Sequence, residues 1–214
     1  MKQIAIYGAG GFGREVACMI EQINSVEPTW QLLGFFDDGV APGTEISHFG
    51  KVLGNYEVLN HWTSPISVAV CIGVPRIVKK VVERVDNPMV DFPNLIHPNF
   101  NIIDPYTFVI GKRNIIKGGC SCTTNVRLGD FNVLNGRVNF GHDIFVGNFN
   151  TFMPGTTISG EVTIGNENLF GVNAIVIQCI KIGDSITLSP GSVLLKKPKN
   201  GGLYIGNPAK LLKY

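Results

Sequence analysis

Hydrophobic residues recur at every sixth position along the second half of the chain. Fifteen consecutive six-residue blocks run from Thr107 to Lys196 without an insertion, and the fourth place of every block is apolar, from Ile110 to Leu194. An α-helix would scatter these side chains around its axis, because it has 3.6 residues per turn. Three short strands joined by corners would direct all of them to the axis of a prism. The pattern therefore predicts a β-solenoid of hexapeptide repeats.

Two other places of the block support this prediction. The second place is mostly small or β-branched, as at Val126 and Ile144, and it alternates with the fourth, so both should point inward. Three blocks make one coil, so a residue should stack about 4.8 Å beneath the residue eighteen places later. The fifth place is often glycine, where we expect the corner to turn tightly or to take positive φ: Gly111, Gly129, Gly141, Gly147, Gly165, Gly171 and Gly183.

The first 95 residues alternate between strand and helix patterns. Apolar runs at 2–7, 31–36 and 66–73 read as strands, and the segments 12–23 and 75–85 have helical spacing. This βαβ order predicts a small Rossmann-like unit, with a three- or four-stranded parallel sheet and helices on its faces. We expect this unit at 1–95 and the β-solenoid with its C-terminal tail at 96–214.

A glycine-rich turn, Gly8-Ala9-Gly10-Gly11-Phe12-Gly13, joins the first strand to the first helix. Glycines there let the backbone approach a phosphate, which the free N–H groups of the helix then bind. Asp37 and Asp38 end the second strand and can bind a ribose or an amine. The alternative is that the glycines only permit close packing and the aspartates are ordinary turn residues. About 95 residues hardly hold a second mononucleotide half, which counts against NAD.

Charge and cysteine content exclude some classes of function. The net charge of +2 argues against a general nucleic-acid or membrane-surface role. Five cysteines lie in apolar contexts, which predicts reduced thiols in the cytoplasm. Cys120 and Cys122 fall at inward places without a histidine or third thiol nearby in sequence, so no metal site is expected.

His142 is the only histidine of the repeats, and it falls at a sixth place, on a corner. Asp143 follows it and is able to orient the imidazole or stabilise its charged form. No serine or cysteine nearby in sequence pairs with it as a nucleophile, which favours a direct general base. The alternative is a solvated corner histidine.

The order of these motifs resembles one known family over essentially the whole chain. It is similar to the hexapeptide acyltransferases with an N-terminal nucleotide-sugar-binding domain, which include bacillosamine-pathway UDP-amino-sugar N-acetyltransferases and sialic acid O-acetyltransferases. The matching segments are the glycine turn at 8–13, Phe36-Asp37-Asp38, Ile96-His97-Pro98, Gly141-His142-Asp143 through Pro154-Gly155, and Gly206-Asn207-Pro208-Ala209-Lys210.

The resemblance implies a homotrimer of left-handed β-helices with active sites between subunits. His142 would be the general base, Asp143 its acidic neighbour, and the N–H of Gly160 the oxyanion donor. The nucleotide sugar would contact Gly8, Gly10, Gly11, Gly13, Arg14, Asp37 and Asp38. The co-substrate acetyl-CoA would contact Thr151, Gly171, Asn173, Ile177, Ser189, Pro208 and Lys210, and a basic cluster would face its phosphates: Lys196, Lys197, Lys199, Lys210 and Lys213.

Two positions depart from the family pattern. Thr151 and Phe12 each replace a histidine that many relatives carry. The prediction remains a cytoplasmic acetyl-CoA-dependent N-acetyltransferase of a nucleotide-linked sugar, most simply a UDP-4-amino sugar, in surface-glycan synthesis, with no metal. Sugar or sialic acid O-acetylation stays open, as does a non-catalytic nucleotide-binding solenoid. An NAD-dependent oxidoreductase is disfavoured, because nothing in the repeats suits hydride transfer.

Overall fold

The structure is a computed structural model that describes residues 1–212. The chain divides into two compact units, Met1–Pro98 and a second unit that begins at Asn99. No helix within residues 1–212 has both the length and the apolar character needed to cross a bilayer.

The first unit is a parallel sheet with three helices. Its strands, β1–β6 in chain order, span Lys2–Tyr7, Trp30–Phe36, Val52–Gly54, Ile66–Val70, Val90–Asp91 and Leu95–Ile96. Its helices, α1–α3, span Gly11–Val26, Tyr56–Asn60 and Pro75–Arg84. Five of the strands form one sheet in the order β3-β2-β1-β4-β5, and every pair in it is parallel. The predicted count of three or four strands was too low, because both edge strands are too short to give a pattern of alternating residues.

The second unit is a parallel β-solenoid, as predicted. Its strands, β7–β24, span Asn101–Ile102, Val109–Ile110, Ile115–Ile116, Ser121–Cys122, Val126–Leu128, Val133–Leu134, Asn139–Phe140, Ile144–Val146, Thr151–Phe152, Thr157–Ile158, Thr163–Ile164, Leu169–Phe170, Ile175–Val176, Lys181–Ile182, Thr187–Leu188, Val193–Leu194, Leu203–Ile205 and Lys210–Leu211. They stack in three sheets, and within the fifteen blocks partners in neighbouring coils lie eighteen residues apart, as in Ser121 with Asn139 and Asn139 with Thr157. The coils extend beyond the fifteen blocks at both ends, since Asn101 pairs with Ser121 and Thr187 with Leu203.

The axis of the solenoid is filled by the fourth-place side chains. Phe152 and Phe170 are fully buried, and their parallel rings stack with centroids 4.8 Å apart, which is the spacing of paired strands. The second-place residues Val138, Val162 and Ala174 are also fully buried. Ile110 is only half-buried, because it lies in the first complete block at the open end of the core.

The fifth-place glycines do not take positive φ, contrary to one of the two expectations. Positive φ falls two residues later, at the first place of the next block, mostly on non-glycine residues such as Asn125, Asp143 and Phe149. The glycines are needed because the next coil lies too close for a side chain. A Cβ on Gly129 would lie 2.6 Å from the carbonyl oxygen of Gly147. Close stacking of coils, rather than backbone conformation, therefore explains the glycines.

A ladder of buried asparagines occupies second places on one face, where the pattern suggested small or β-branched residues. The members are Asn114, Asn132, Asn150 and Asn168, all fully buried. Asn150 shows the repeated bonding, since its Nδ2 donates to the Gly165 carbonyl at 2.9 Å and its Oδ1 accepts from the Asn168 N–H at 3.0 Å. Each amide is satisfied by the next coil, which offsets the cost of burying it.

Candidate active site

His142 lies on a corner of the solenoid, where the next residue holds its ring. This His142 corner comprises residues 123–125, 141–143, 159–161 and 177–179. The imidazole Nδ1 lies 2.8 Å from Oδ2 of Asp143. Because a carboxylate only accepts hydrogen bonds, Nδ1 carries the hydrogen and the lone pair remains on Nε2. The side chain is 55% exposed, and Nε2 makes no hydrogen bond within residues 1–212.

Both oxygens of Asp143 are engaged. Oδ2 faces His142, and Oδ1 accepts a 2.6 Å hydrogen bond from Nδ2 of Asn125, one coil below. The pKa of Asp143 is held below its ordinary value, first by the hydrogen bond from Asn125 and then by the one from His142. The carboxylate is therefore an anion near neutral pH, suited to stabilise a protonated imidazole beside it.

Gly160 lies one coil above His142, and the ring packs against it. A Cβ on Gly160 would lie 2.5 Å from Nε2 of His142, so this orientation of the ring requires glycine. The Gly160 carbonyl accepts a bond from the N–H of Cys179 at 3.1 Å. Its own N–H has no acceptor in the part of the chain that the structure describes. A backbone donor and an imidazole nitrogen thus lie side by side, both without an internal partner.

The residues predicted to line the acetyl-CoA groove lie on two different corners. Ile177 stacks two coils above Gly141, on the His142 corner. Asn173 and Ser189 lie on another corner, called here the third corner, which comprises residues 117–119, 135–137, 153–155, 171–173 and 189–191. Asn173 is exposed there and Ser189 is half-buried. One chain alone therefore does not bring Asn173 and Ser189 to His142.

Thr151 and Gly171 are both buried within this chain. The side chain of Thr151, in β15, is only 1% exposed. A Cβ on Gly171 would overlap the backbone nitrogen of Pro190, so this glycine is required by packing. Burial argues against direct contact between the Thr151 side chain and a cofactor, and that role stays a prediction.

The predicted C-terminal contacts are solvent-accessible. Pro208 and Lys210 are exposed, and so are three lysines of the basic cluster, Lys196, Lys197 and Lys199. Lys213, the remaining member, lies outside the described residues. These positions are available for a charged ligand, which remains a prediction for each of them.

In the first unit, the four glycines of the turn separate into two pairs. A Cβ on Gly8 would lie 2.7 Å from the Cys71 carbonyl oxygen, and one on Gly13 would overlap the Gly8 carbonyl. These two are required by packing. Gly10 and Gly11 face open space, with nothing within 4 Å of an added Cβ. Gly10 is the N-cap of α1 and Gly11 is its first residue. The N-terminus of this helix has neither a side-chain cap nor an acidic residue in its first turn, and Arg14 is exposed beside it. That end of the helix suits an anion.

Asp37 and Asp38 are both bonded within the fold. Oδ2 of Asp37 accepts from the N–H of Ala9 at 2.8 Å, and its Oδ1 accepts from two N–H groups of the following loop. Oδ1 of Asp38 accepts from the N–H of Tyr56 at 3.0 Å. Both carboxylates nevertheless line an open pocket of about 520 Å³, together with Asn55 and Glu57. The aspartates therefore organise the loops around this pocket, whose acidic lining suits hydroxyl or amine donors.

Residues 3–85 match the family model of the PglD N-terminal domain. No curated protein sequence matches the chain at a significant level. The acetyltransferase domain of PglB from Neisseria gonorrhoeae FA1090 is similar in structure, with 27% identity, a TM-score of 0.88, and coverage of 99% of this chain and 100% of that one. The same domain solved in complex with acetyl coenzyme A gives a TM-score of 0.85, 27% identity and 99% coverage of both chains.

PerB from Caulobacter crescentus, solved with CoA and GDP-perosamine, is a more distant neighbour. Its structure gives a TM-score of 0.83 at 23% identity and covers 100% of this chain and 98% of that one. At 23% identity this match shows a shared fold and nothing more. Together these matches confirm the predicted family resemblance and the predicted architecture, an α/β unit followed by a parallel β-solenoid.

Sequence reasoning missed Asn125, which binds the partner of His142. The signal was available, because position 125 precedes Asp143 by eighteen residues and so stacks directly beneath it. Among residues 1–212 there is no cluster of three metal-ligating side chains.

Proposed function

We propose that this chain is an acetyl-CoA-dependent N-acetyltransferase that acts on a nucleotide-linked amino sugar, with His142 as the general base. The observation that carries the proposal is the arrangement of the exposed His142 ring, oriented by Asp143 and packed beside the N–H of Gly160. The acyltransferase class and the use of acetyl-CoA are supported by the match to the acetyltransferase domain of PglB along nearly its whole length. The proposed setting is surface-glycan synthesis in the cytoplasm, with a UDP-4-amino sugar as acceptor.

The proposed chemistry needs three groups of this corner. Nε2 of His142 accepts a proton from the substrate amine as the amine nitrogen bonds to the thioester carbonyl carbon. The N–H of Gly160 donates to the carbonyl oxygen while that oxygen carries negative charge. Asp143 stabilises the imidazolium. The carbon–sulfur bond then breaks, the proton goes to the leaving sulfur, and free CoA thiol is released with the acetylated sugar.

The acceptor nucleotide is assigned to the first unit. Support comes from the family model over residues 3–85 and from the open positions Gly10 and Gly11 at an uncapped helix N-terminus, where a diphosphate would be bound by backbone N–H groups. The acidic pocket beside Asp37 and Asp38 offers acceptors for donors on a base or an amino sugar.

A homotrimer is part of the proposal. The predicted acetyl-CoA contacts Asn173 and Ser189 lie on the third corner, away from His142. A closed three-fold assembly of prisms can bring the third corner of one copy against the His142 corner of the next. Sedimentation analysis should then give a trimer, and an active monomer would contradict this part of the proposal.

The test is a CoA-thiol release assay with acetyl-CoA and a panel of UDP-, GDP- and dTDP-4-amino sugars beside free sialic acid. Wild type should release thiol with one of the amino sugars. The variant His142→Ala should lose roughly 10²- to 10⁴-fold in kcat, the usual contribution of a general base. Circular dichroism should show an unchanged fold, because the ring is exposed.

Other outcomes of the assay would change the conclusion. Thiol release with sialic acid alone would show O-acetylation instead. Full activity of His142→Ala would remove the histidine from the mechanism. No release with any acceptor, together with no binding of CoA, would refute the acyltransferase proposal.

A further inference from the structure

A chain of hydrogen bonds runs along the His142 corner toward the catalytic pair. It reaches His142 through Asp143, whose Oδ1 accepts from Nδ2 of Asn125 at 2.6 Å. Asn125 lies one coil below Asp143, and both residues have positive φ, 55° and 56°. The stacking of coils therefore places the amide directly beneath the carboxylate.

Asn125 is itself fixed from the coil below. Its N–H donates to Oγ1 of Thr107 at 2.7 Å, and the same hydroxyl donates to Oδ2 of Asp104, also at 2.7 Å. Thr124 donates to that carboxylate oxygen as well, at 2.7 Å. These bonds, from Thr107 first and Thr124 second, hold the pKa of Asp104 below its ordinary value. Asp104 is therefore a stable anionic anchor for this part of the corner.

We propose that Asn125, seated on Thr107 and Asp104, is a positioning residue that fixes the carboxylate of Asp143 and through it the ring of His142. The inference rests on the proposed function, because it assumes that His142 is the base. Asn125 bonds to Asp143 and not to His142, so it acts through Asp143.

The exposure of the pair explains why a fixing contact is needed. The side chains of His142 and Asp143 are 55% and 49% exposed, so neither is held by burial. A carboxylate on an open corner can rotate about its χ angles and leave Nδ1 without its acceptor. The bond from Asn125 occupies Oδ1 and leaves Oδ2 directed at the imidazole. It thereby selects the tautomer with the lone pair on Nε2.

The first places of the blocks on another corner show that the repeat does not require this contact. Three residues there also have positive φ although they differ in charge and length: Arg113, Glu167 and Ser185. The backbone turn therefore tolerates many side chains. Asparagine tolerates positive φ, and at position 125 its side-chain amide also donates to the carboxylate of Asp143.

The experiment compares Asn125→Gly with Ser185→Gly as a matched control. Both sites take positive φ, which glycine accepts without strain, so both variants should fold as wild type. Ser185 occupies the same place of its block on another corner and touches none of the catalytic groups. Steady-state kinetics are measured for acetyl-CoA and for the acceptor that wild type uses.

Asn125→Gly should lower kcat about tenfold, a part of the roughly 10²- to 10⁴-fold that a general base contributes. The KM for acetyl-CoA should stay within about twofold, because the side chain acts on the transition state through His142. Ser185→Gly should match wild type in both constants. Asn125→Asp should lower kcat further than Asn125→Gly does, because it puts a second carboxylate at the position that donates to Asp143 in wild type.

A double variant separates positioning from a merely structural role. Adding Asn125→Gly to His142→Ala should cost no further activity, because the group that Asn125 positions is already absent. A wild-type kcat for Asn125→Gly, or a further tenfold loss in the double variant, would overturn the inference while leaving His142 as the base. Full activity of His142→Ala would instead remove the histidine from the mechanism, and no thiol release together with no CoA binding would refute the proposed function itself.

Discussion

Two corners of the same solenoid use the same places of the repeat in opposite ways. At the corner formed by residues 111–113, 129–131, 147–149, 165–167 and 183–185, called here the Asx corner, the sixth place carries aspartate or asparagine in four successive coils. Each of these side chains caps a backbone N–H of the coil below, as Asn148 does for Asp130 at 2.7 Å and Asp184 for Asn166 at 2.6 Å. On the His142 corner the sixth places are Thr124, His142, Gly160 and Gln178.

The difference shows how a regular fold can leave room for chemistry. On the Asx corner the donor of one coil is satisfied by the acceptor of the next, and the polar groups stabilise the stack. On the His142 corner Gln178, one coil above Gly160, does not cap it, so the Gly160 N–H keeps no internal partner in the described part of the chain. Gly160 itself has no side chain, and the imidazole of His142 occupies the space that a Cβ would fill. The site therefore arises where the repeat omits its own stabilising contact.

The sharpest test of this comparison is Gly160→Ala. A Cβ there would lie 2.5 Å from Nε2 of His142, so the ring must move away from the Gly160 N–H. We expect a loss in kcat of roughly 10²-fold or more, as when a base or an oxyanion donor is removed. Stability should change little, because the atom displaced belongs to an exposed side chain. Thiol-release kinetics and urea unfolding measure the two effects.

Gly136→Ala is the matched control. Gly136 occupies the sixth place on the third corner, where a Cβ would lie 3.4 Å from the Gly118 carbonyl oxygen, an ordinary contact. Its free energy of unfolding should match wild type. Activity is not part of this control, because the proposed trimer brings the third corner against the His142 corner of the next copy. Equal losses of stability in the two variants would show that alanine at any sixth place disturbs the coil, and the contrast between the corners would fail.

The second test adds a Cβ to a glycine on the Asx corner. Gly129→Ala would place that atom 2.5 Å from Oδ1 of Asn148 and 2.6 Å from the Gly147 carbonyl oxygen. The backbone of the next coil cannot give way as a side chain can, so we expect a loss of about 1–3 kcal/mol in the free energy of unfolding. The kcat of the folded fraction should be unchanged. A variant with full stability and reduced kcat would reverse the roles assigned to the two corners.

Much of the solenoid was predictable because its period is imposed by covalent geometry and burial. Fourth-place residues such as Phe152 and Ile164 are fully buried, as their spacing required. The ladder that includes Asn150 was not predictable from one block, since a buried amide is favourable only when the next coil supplies its partners. Edge strands such as Val52–Gly54 were also not predicted from the sequence, because three residues are too few to show a periodic pattern.

The site was predictable to a smaller extent. His142 and Asp143 were identified from residue type and place, and the structure brings their side chains within 2.8 Å. Predicting the supporting residue Asn125 would have required applying the eighteen-residue stacking to polar side chains as well as to the core. Thr151 lies at a third place, which alternates with the inward places, and yet it is buried. Its burial depends on which outward-facing positions other parts of the fold cover, and the six-residue pattern does not indicate this.

The mildest test removes a single cap. Asn148→Ala takes away the acceptor for the Asp130 N–H, and we expect a loss of about 1 kcal/mol in the free energy of unfolding, the usual net value of one hydrogen bond. Gln178→Ala is the control, since Gln178 holds the same place on the His142 corner, is exposed, and makes no hydrogen bond within residues 1–212. Its effect should stay within about 0.5 kcal/mol, as for most surface substitutions. Urea unfolding followed by circular dichroism measures both. If Gln178→Ala were the more destabilising of the two, the sixth place on the His142 corner would also hold the stack together, and the division between a stabilising corner and a chemical corner would be wrong.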